Sequence, residues 1–166
     1  TAELPAGIEK EMILVHQPIE SAYVSGDTAL ATLDELGLLD AVKTVGVEQD
    51  TTTVEAVKSG LADGSMTYAG GADDLQYREL VKSKCDFAVL PADILSGDEM
   101  ADTDVKSKLS DAADSFATLD VPMLVDRSAD EETELGKREW IKVYGALFGC
   151  TEQTDSLFQK AVDAAK

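Results

Sequence analysis

The chain has 166 residues, of which 44% are hydrophobic, which is enough for one folded domain with its own core. It carries 33 acidic and 14 basic residues, for a formal net charge of −19. So acidic a surface argues against nucleic acid or anionic lipid as a partner, because both are polyanions. It is compatible with cations, with cationic groups on a partner protein, or with plain solubility, which we favour. No apolar run approaches the roughly 20 residues that a membrane-spanning helix needs.

Short apolar runs alternate with stretches of helical periodicity along the chain. The predicted strands cover residues 12–15, 19–25, 42–47, 66–69, 87–90 and 122–125. The predicted helices begin at a cap on Asp27 or Thr28 and end before Gly37, then cover 51–59 before Gly60, 77–84 and 105–117. Strands that are apolar throughout and alternate with helices are typical of a parallel sheet covered on both faces. We therefore predict an α/β fold with an open, mainly parallel, Rossmann-like sheet.

Residues 135–166 are predicted to form a long helical segment that ends the chain. A first apolar stripe has helical spacing and consists of Trp140, Val143, Tyr144, Leu147 and Phe148. Gly149 is then placed to end that helix, and Thr151 to cap the next. The second stripe consists of Leu157, Phe158, Ala161, Val162 and Ala165. We expect an α/β lobe over 1–134 and, over 135–166, a strut that leads toward a second lobe absent from this chain.

The cysteines and the histidine give little support to zinc or redox chemistry. Cys85 and Cys150 form no CxxC pair, and neither lies near His16, the only histidine. We expect no metal site and no cofactor. A disulfide between the two cysteines stays open, although two buried free thiols are the favoured interpretation. No signal peptide is visible, and the chain begins at Thr1 without Met, which fits removal of an N-terminal region.

In an open parallel sheet, ligands meet the loops that follow the carboxyl ends of the strands. Gly70 and Gly71 follow one strand, but neither GxGxxG nor GxxxxGK[ST] is present, so a tight turn is favoured over a phosphate loop. Ser25 ends another strand without a GxSxG motif, and His16 is the only candidate base, which argues against a Ser–His hydrolase. Arg127 could bind a carboxylate-bearing ligand in bidentate fashion, although a surface ion pair is favoured.

Aspartates also end two of the predicted strands. Asp93 and Asp126 stand where receiver-like domains hold a phospho-acceptor or Mg²⁺ carboxylate. The first strand, however, is followed by His16 and Gln17 rather than by an acidic pair, and Arg127 stands in place of a lysine. A receiver-like function is therefore disfavoured.

Three stretches carry a resemblance that covers essentially the whole chain. They are PIESAYVSGDTALATLDELGLLDAVKTVGV (18–47), YAGGADDLQYRELVKSKCDFAVL (68–90) and LDVPMLVDRSADEETELGKREWIKVYGALFGCTEQTDSLF (119–158). Their order resembles the N-terminal lobe of the class III, helical-backbone solute-binding proteins of ABC importers for iron–siderophore complexes, haem, cobalamin and some metals. EWIKVYGALFG, which is similar to the entry to the interlobe helix of the Gram-positive iron-uptake branch, is the most distinctive part.

The resemblance implies a periplasmic protein or membrane-anchored extracellular lipoprotein that is not an enzyme. It would capture an iron complex or related metal chelate between two lobes and hand it to an ABC permease. The ligand-binding residues it implies on this lobe are Tyr23, Ser25, Gly70, Asp93 and Arg127. The nearest residue to the family's permease-docking glutamate is Glu79, with Arg78 at the aligned position.

Two other functions stay open. The first is a small flavodoxin-like or hydrolase-like enzyme that uses the same strand-end loops. The second is a non-catalytic interaction domain, including a homodimer, that docks through the helix at 151–166. In a lone lobe the stripe of Leu157, Phe158 and Val162 would be uncovered, which indicates either dimerisation or packing back on the body.

Overall fold

The fold is an open α/β sheet of five parallel strands in the order β3-β2-β1-β4-β5. A computed structural model describes residues 14–72, 74–95 and 103–165 of the chain. The strands are β1 (Ala22–Val24), β2 (Val42–Val45), β3 (Thr67–Tyr68), β4 (Phe87–Pro91) and β5 (Met123–Asp126). The helices are α1 (Asp27–Glu35), α2 (Glu55–Asp63), α3 (Tyr77–Ser83), α4 (Thr103–Thr118), α5 (Glu134–Glu139), α6 (Ile141–Leu147) and α7 (Thr151–Ala164). The predicted fold class is confirmed.

The alternation of side chains along β1 divides the core into two layers. Ala22 and Val24 face a cluster that includes residues of α1, α2 and α6, with Leu157 and Phe158 of α7 packed against it. Tyr23 points the other way, into a cluster with residues of α3 and α4. Because successive side chains of a strand point to opposite faces, one short strand organises both layers.

Helix α7 packs back on the body of the protein. Gly145 of α6 has no Cβ, and an added Cβ would lie 2.1 Å from Oγ1 of Thr154 on α7. Leu157 and Phe158 are half-buried, and the Lys142 ammonium lies 4.0 Å from the centre of the Phe158 ring. Of the two alternatives for this apolar stripe, packing on the body is therefore the one observed.

Several predicted boundaries of the helices are wrong. The second helix does not stop at Gly60, which is buried inside α2 beside Met66. Instead α2 runs to Asp63, and Gly64, whose φ is +80°, is its C-cap. The N-cap of α1 is Gly26 rather than Asp27 or Thr28. At the N-termini of both α1 and α7, the capping residue makes no side-chain hydrogen bond to the helix. Helical spacing identifies the buried face of a helix but does not show which glycine can lie inside it.

The predicted single helix from 135 to 148 is two helices. α5 and α6 meet at Trp140, which retains helical dihedral angles (φ −57°, ψ −21°), so the apolar spacing runs across the junction. Helix α7 begins at Thr151 itself, and Cys150 is its cap. Both cysteines are free.

The predicted strand at 12–15 lies partly outside the described residues. Leu14 and Val15, which are described, have irregular backbone. The other five predicted strands correspond to β1–β5, although β1 begins three residues later than predicted. Ile19 is buried in the first core cluster without being part of the strand.

Candidate functional site

The strand order places a crevice beside the central strand. From β1 the chain runs through β2 to β3 on one side of the sheet, and then through β4 to β5 on the other, so the direction reverses between β1 and β4. Ligands of open α/β sheets bind at such a reversal, beyond the carboxyl ends of the strands. A crevice of about 400 Å³ lies there. Its lining comes from three loops and consists of Ser25, Gly26, Asp27, Thr28, Ala29, Pro91, Ala92, Asp93, Asp126, Ser128, Ala129 and Asp130.

Gly26 lets the first two of these loops meet. Its φ is +125°, a conformation that residues with a side chain rarely adopt, and an added Cβ would lie 3.2 Å from the Cβ of Pro91. The loop after β1 can therefore approach the end of β4 closely. Helix α1 begins at the next residue, so its first turn forms one wall of the crevice.

Asp27 ties the loop after β1 to the loop after β2. Its carboxylate accepts hydrogen bonds from Thr52 Oγ1 at 2.7 Å, from Thr53 N at 2.6 Å and from Thr53 Oγ1 at 2.7 Å. Burial alone would raise the pKa of Asp27, but these hydrogen bonds outweigh it and lower the pKa below its ordinary value. The side chain is thus held as a carboxylate at neutral pH.

Asp126 forms a buried part of the crevice floor and is held from below by α6. The Tyr144 hydroxyl donates to Asp126 Oδ2 at 2.5 Å, and Ser128 N donates to Oδ1 at 2.8 Å. Asp126 is 6% exposed and Tyr144 is 1% exposed. Burial, together with the adjacent Asp126 carboxylate, raises the pKa of Tyr144 far above its ordinary value, so the phenol stays a donor.

A second compartment continues the crevice toward α5. It has a volume of about 300 Å³ and shares Thr28, Ser128 and Ala129 with the first. Its remaining lining consists of Thr32, Lys137, Trp140 and Tyr144. The Trp140 indole N–H donates to Glu131 Oε1 at 3.0 Å, and Lys137 pairs with Glu134 at 2.8 Å. The two compartments form one groove from the end of β4 to the junction of α5 and α6.

The structure brings two of the five predicted ligand-binding residues to the crevice lining. Ser25 is buried with a little surface there, and Asp93 is exposed at its mouth. Arg127 is exposed beside the crevice, with its Nε donating to Asp130 Oδ2 at 2.8 Å. Tyr23 and Gly70 are buried, and the Tyr23 hydroxyl donates to the Gly70 carbonyl at 2.9 Å. Those two lie beneath the loops rather than on the crevice surface.

Two other residues discussed from the sequence lie away from the crevice. Glu79 is on α3, half-buried, and pairs with Lys82 at 3.2 Å, while its neighbour Arg78 is exposed. His16 precedes β1, so it lies toward the amino-terminal edge of the sheet, whereas Ser25 follows β1 at the opposite edge. That separation removes the only candidate base from Ser25.

Sequence reasoning missed three contributors to the groove. The hydrogen bonds between Asp27 and Thr52 and between Asp126 and Tyr144 join residues far apart in sequence, so no local sequence pattern indicates them. Trp140 was assigned to the buried stripe of a helix, yet it lines the second compartment. The one available signal was the position of Asp126 at a strand end.

Within the described residues, no group of three or more His, Cys, Asp or Glu side chains could hold a metal ion. The same residues contain no helix with both the length and the apolar character needed to cross a membrane.

Solved structures of similar fold are binding proteins of about twice the length. The petrobactin-binding protein YclQ of Bacillus subtilis matches with a TM-score of 0.60 at 16% identity, over 86% of this chain and 43% of that one. The catecholate-siderophore binding protein VctP of Vibrio cholerae matches with 0.59 at 14% identity, over 88% and 45%. Staphylococcus aureus SirA, in complex with staphyloferrin B, matches with 0.58 at 16% identity, over 90% and 44%.

The chain has the fold of one lobe of the class III solute-binding proteins. It spans less than half the length of each of these structures. No protein-family model and no curated protein matches the sequence. At 13–17% identity, the likeness to these siderophore- and haem-binding proteins is one of fold, which fits the resemblance seen in the sequence.

Proposed function

We propose that this chain is the ligand-capturing lobe of the solute-binding component of an ABC importer for an iron complex, such as a siderophore or haem, or for a related metal chelate. The observation that carries the proposal is the groove at the reversal of the strand order, on a lobe whose fold is that of siderophore-binding proteins. Capture by such a lobe makes and breaks no bond. The protein would act outside the cytoplasm, in the periplasm or anchored to a membrane as a lipoprotein.

In this proposal, Ser25, Asp93 and Arg127 contact the ligand, while the hydrogen bond from Tyr23 to Gly70 fixes the neighbouring turn. Residues 135–166 would lead from the lobe at 1–134 toward a second lobe that completes the cleft. Glu79, which is half-buried on α3 and paired with Lys82, would meet the permease. The two compartments together are of the size of typical small-molecule sites, which are about 300–1,000 Å³.

The test is binding of iron chelates to the purified chain, followed through its only tryptophan. Trp140 lines the second compartment, so a bound ferric chelate or haemin should quench its fluorescence saturably. The panel contains a ferric trishydroxamate, a ferric triscatecholate and haemin, each with its iron-free form. Quenching of free N-acetyltryptophanamide by the same chelates corrects for absorption of light by the ligand.

A variant that fills the groove distinguishes groove binding from surface binding. Ala129 is exposed and lines both compartments, so Ala129→Phe should weaken binding about tenfold or more, a loss of at least about 1.4 kcal/mol. Ala117→Phe makes the same change at an exposed position of α4 and should leave binding unchanged. Equal quenching in both variants, or no saturable binding of any chelate, would overturn the proposed function.

A further inference from the structure

We propose that the groove selects a metal chelate that is positively charged overall and carries an ammonium group. This inference rests on the proposed function, and it concerns which chelates the same groove accepts. It is drawn from the charges that line the crevice and from the aromatic side chain beside them. Asp93 adds a carboxylate at the mouth.

Two carboxylates in the crevice are held in place by hydrogen bonds from uncharged donors. The Asp126 carboxylate accepts from the Tyr144 hydroxyl and the Ser128 N–H. The Asp27 carboxylate accepts from Thr52 and Thr53. Such donors orient a carboxylate and satisfy its oxygens, but they bring no positive charge. The negative charge of both groups therefore remains available to a ligand in the crevice.

The basic groups nearby are already paired, including Lys58, whose charge helps to lower the pKa of Asp27 and whose ammonium pairs with Glu55 at 2.6 Å. Arg127 donates to Asp130, which itself lines the crevice, and Lys137 pairs with Glu134 at the second compartment. No lysine or arginine is among the described residues that line the first compartment. The partial positive charge at the start of α1, about half a unit, is offset by Asp27 in its first turn. Among the described residues around the groove, an anionic chelate would thus meet repulsion and no unpaired lysine or arginine to receive it.

Trp140 supplies an independent reason to expect an ammonium group. Its ring lines the compartment that continues the crevice, and Glu131 fixes the indole through its N–H. An ammonium group over an aromatic face is attracted by the quadrupole of the ring, most strongly for tryptophan. A chelate with a positively charged arm would place that arm between the carboxylates and the indole.

The sharpest experiment compares two forms of one ligand. A linear ferric trishydroxamate with a terminal ammonium group and the same chelate with that amine acetylated differ only in the charged group. Calorimetric titration of the full chain should give at least about fivefold tighter binding of the ammonium form, with weaker binding still for a trianionic ferric triscatecholate. The difference between the first two should shrink as salt is added, because salt screens charges.

Matched variants locate the effect. Asp126→Asn keeps an acceptor for the Ser128 N–H and can donate its amide N–H to the Tyr144 oxygen, and it should reduce the preference for the ammonium form about threefold or more. Asp93→Asn tests a second carboxylate of the crevice. Because Asp93 is exposed, this substitution does not disturb the buried hydrogen bonds around Asp126. Asp40→Asn removes an equal charge from an exposed site before β2, toward the opposite edge of the sheet, and should leave the preference unchanged. Trp140→Leu should weaken the ammonium form more than the acetylated form.

The outcomes separate this inference from the proposed function. Equal or tighter binding of the acetylated or trianionic chelate would overturn the charge selection while leaving iron-chelate capture in place. An equal effect of Asp40→Asn and Asp126→Asn would assign the preference to the net charge of the whole chain and would overturn the role of the groove. Failure of every chelate to bind would overturn both proposals.

Discussion

The hydroxyl of Tyr144 connects the C-terminal helices to the crevice through a single hydrogen bond. Its acceptor, Asp126, is a carboxylate that is 6% exposed, and only two donors to it are present among the described residues. A buried charged group that loses a donor bears the cost of its lost hydration, which is larger than the net value of an ordinary hydrogen bond. Tyr144 is therefore a residue on which both stability and the shape of the crevice depend.

Removing that hydroxyl should destabilise the fold measurably. Tyr144→Phe is expected to lower the free energy of unfolding by about 2 kcal/mol, because the Asp126 carboxylate stays buried with one donor fewer. Chemical denaturation at neutral pH measures the change. Tyr68→Phe is the matched control, since the Tyr68 hydroxyl makes no hydrogen bond within the described part of the chain, and it should cost less than about 0.5 kcal/mol. Equal losses in the two variants would contradict the importance of the Tyr144–Asp126 contact.

The threonines around Asp27 should make stability depend on pH. The pKa of Asp27 is lower in the folded protein than its ordinary value of about 3.9, so the folded state favours the carboxylate. The contribution of Asp27 to the free energy of unfolding is therefore complete above its ordinary pKa, and it is lost as the pH falls through the pKa of the folded state. Thr52→Val keeps the shape of the side chain but removes the donor to Asp27, together with a longer 3.3 Å acceptor contact to Val54 N, and should cost about 1 kcal/mol at pH 7.

The cost of Thr52→Val should shrink as the pH falls below about 4, because protonated Asp27 no longer needs the donor. Thermal unfolding from pH 7 to pH 3 follows the difference between the variant and the parent chain. Thr118→Val, at an exposed position on α4, serves as the control and should show no such convergence. A cost that stays constant with pH would contradict the assignment to the carboxylate.

At the scale of elements, the contact of α6 with α7 depends on the absence of a side chain at Gly145. Thr154, which is 1% exposed, occupies the space that a Cβ would need, with its Oγ1 2.1 Å from that position. Thr154 also donates to the Thr151 carbonyl at 3.0 Å, so it is held in place within α7. The two helices thus approach as closely as their backbones allow.

Gly145→Ala should therefore separate the two helices. We expect a loss of about 2–3 kcal/mol from overpacking, despite the higher helical propensity of alanine. Adding Thr154→Ala removes the Oγ1 and Cγ2 atoms that clash and should restore part of that loss, which a double-mutant cycle measures by denaturation. Independent, additive losses in the two single variants would contradict direct packing at this point.

The elements were largely predictable from the sequence, and their mutual placement was not. Apolar runs such as the one in β4 predicted five strands, because most side chains of a parallel strand covered on both faces are buried and apolar, although β2 holds Lys43 and a buried Thr44. The loops that follow β1 and β4 meet at the crevice, where Ser25 and Asp93 lie; that a ligand binds there stays a prediction. Gly70 does not, because it follows β3, two strands away from β1, and strand order is set by long-range packing.

At the scale of the whole molecule, the net charge of −19 should make stability depend on salt. Most of the ion pairs within the described residues join side chains only three positions apart in the sequence, so they do little to hold distant elements together. Repulsion between unpaired carboxylates disfavours the compact state, and salt screens it over about 10 Å at 0.1 M. Glu35 and Arg138, which join α1 to α5, form the one exception among those pairs that connects distant elements.

Added salt should accordingly raise the midpoint of thermal unfolding. Between about 0.05 M and about 1 M sodium chloride we expect an increase of several degrees, since a few kcal/mol of repulsion is relieved. The matched control is a variant with Asp34→Asn and Asp114→Asn, two exposed positions toward the C-terminal ends of α1 and α4; its midpoint should be higher at low salt and should rise less as salt is added. A midpoint that does not change, or falls, with salt would show that charge repulsion is a minor term in the stability of this fold.

The strand β1, which comes first in the sequence, is also the central strand of the sheet. Its partner β4 is synthesised much later. Ala22 pairs with Phe87, and the crevice also needs β5, which follows the whole of α4. While the chain emerges from the ribosome, one side of β1 therefore stays without its partner strand, although β2 is already available to the other side. Contacts between segments distant in sequence form slowly, because a long loop must close first. The half-sheet β1-β2-β3 can assemble early, and the groove that is proposed to capture the ligand is the part of the fold that we expect to form last.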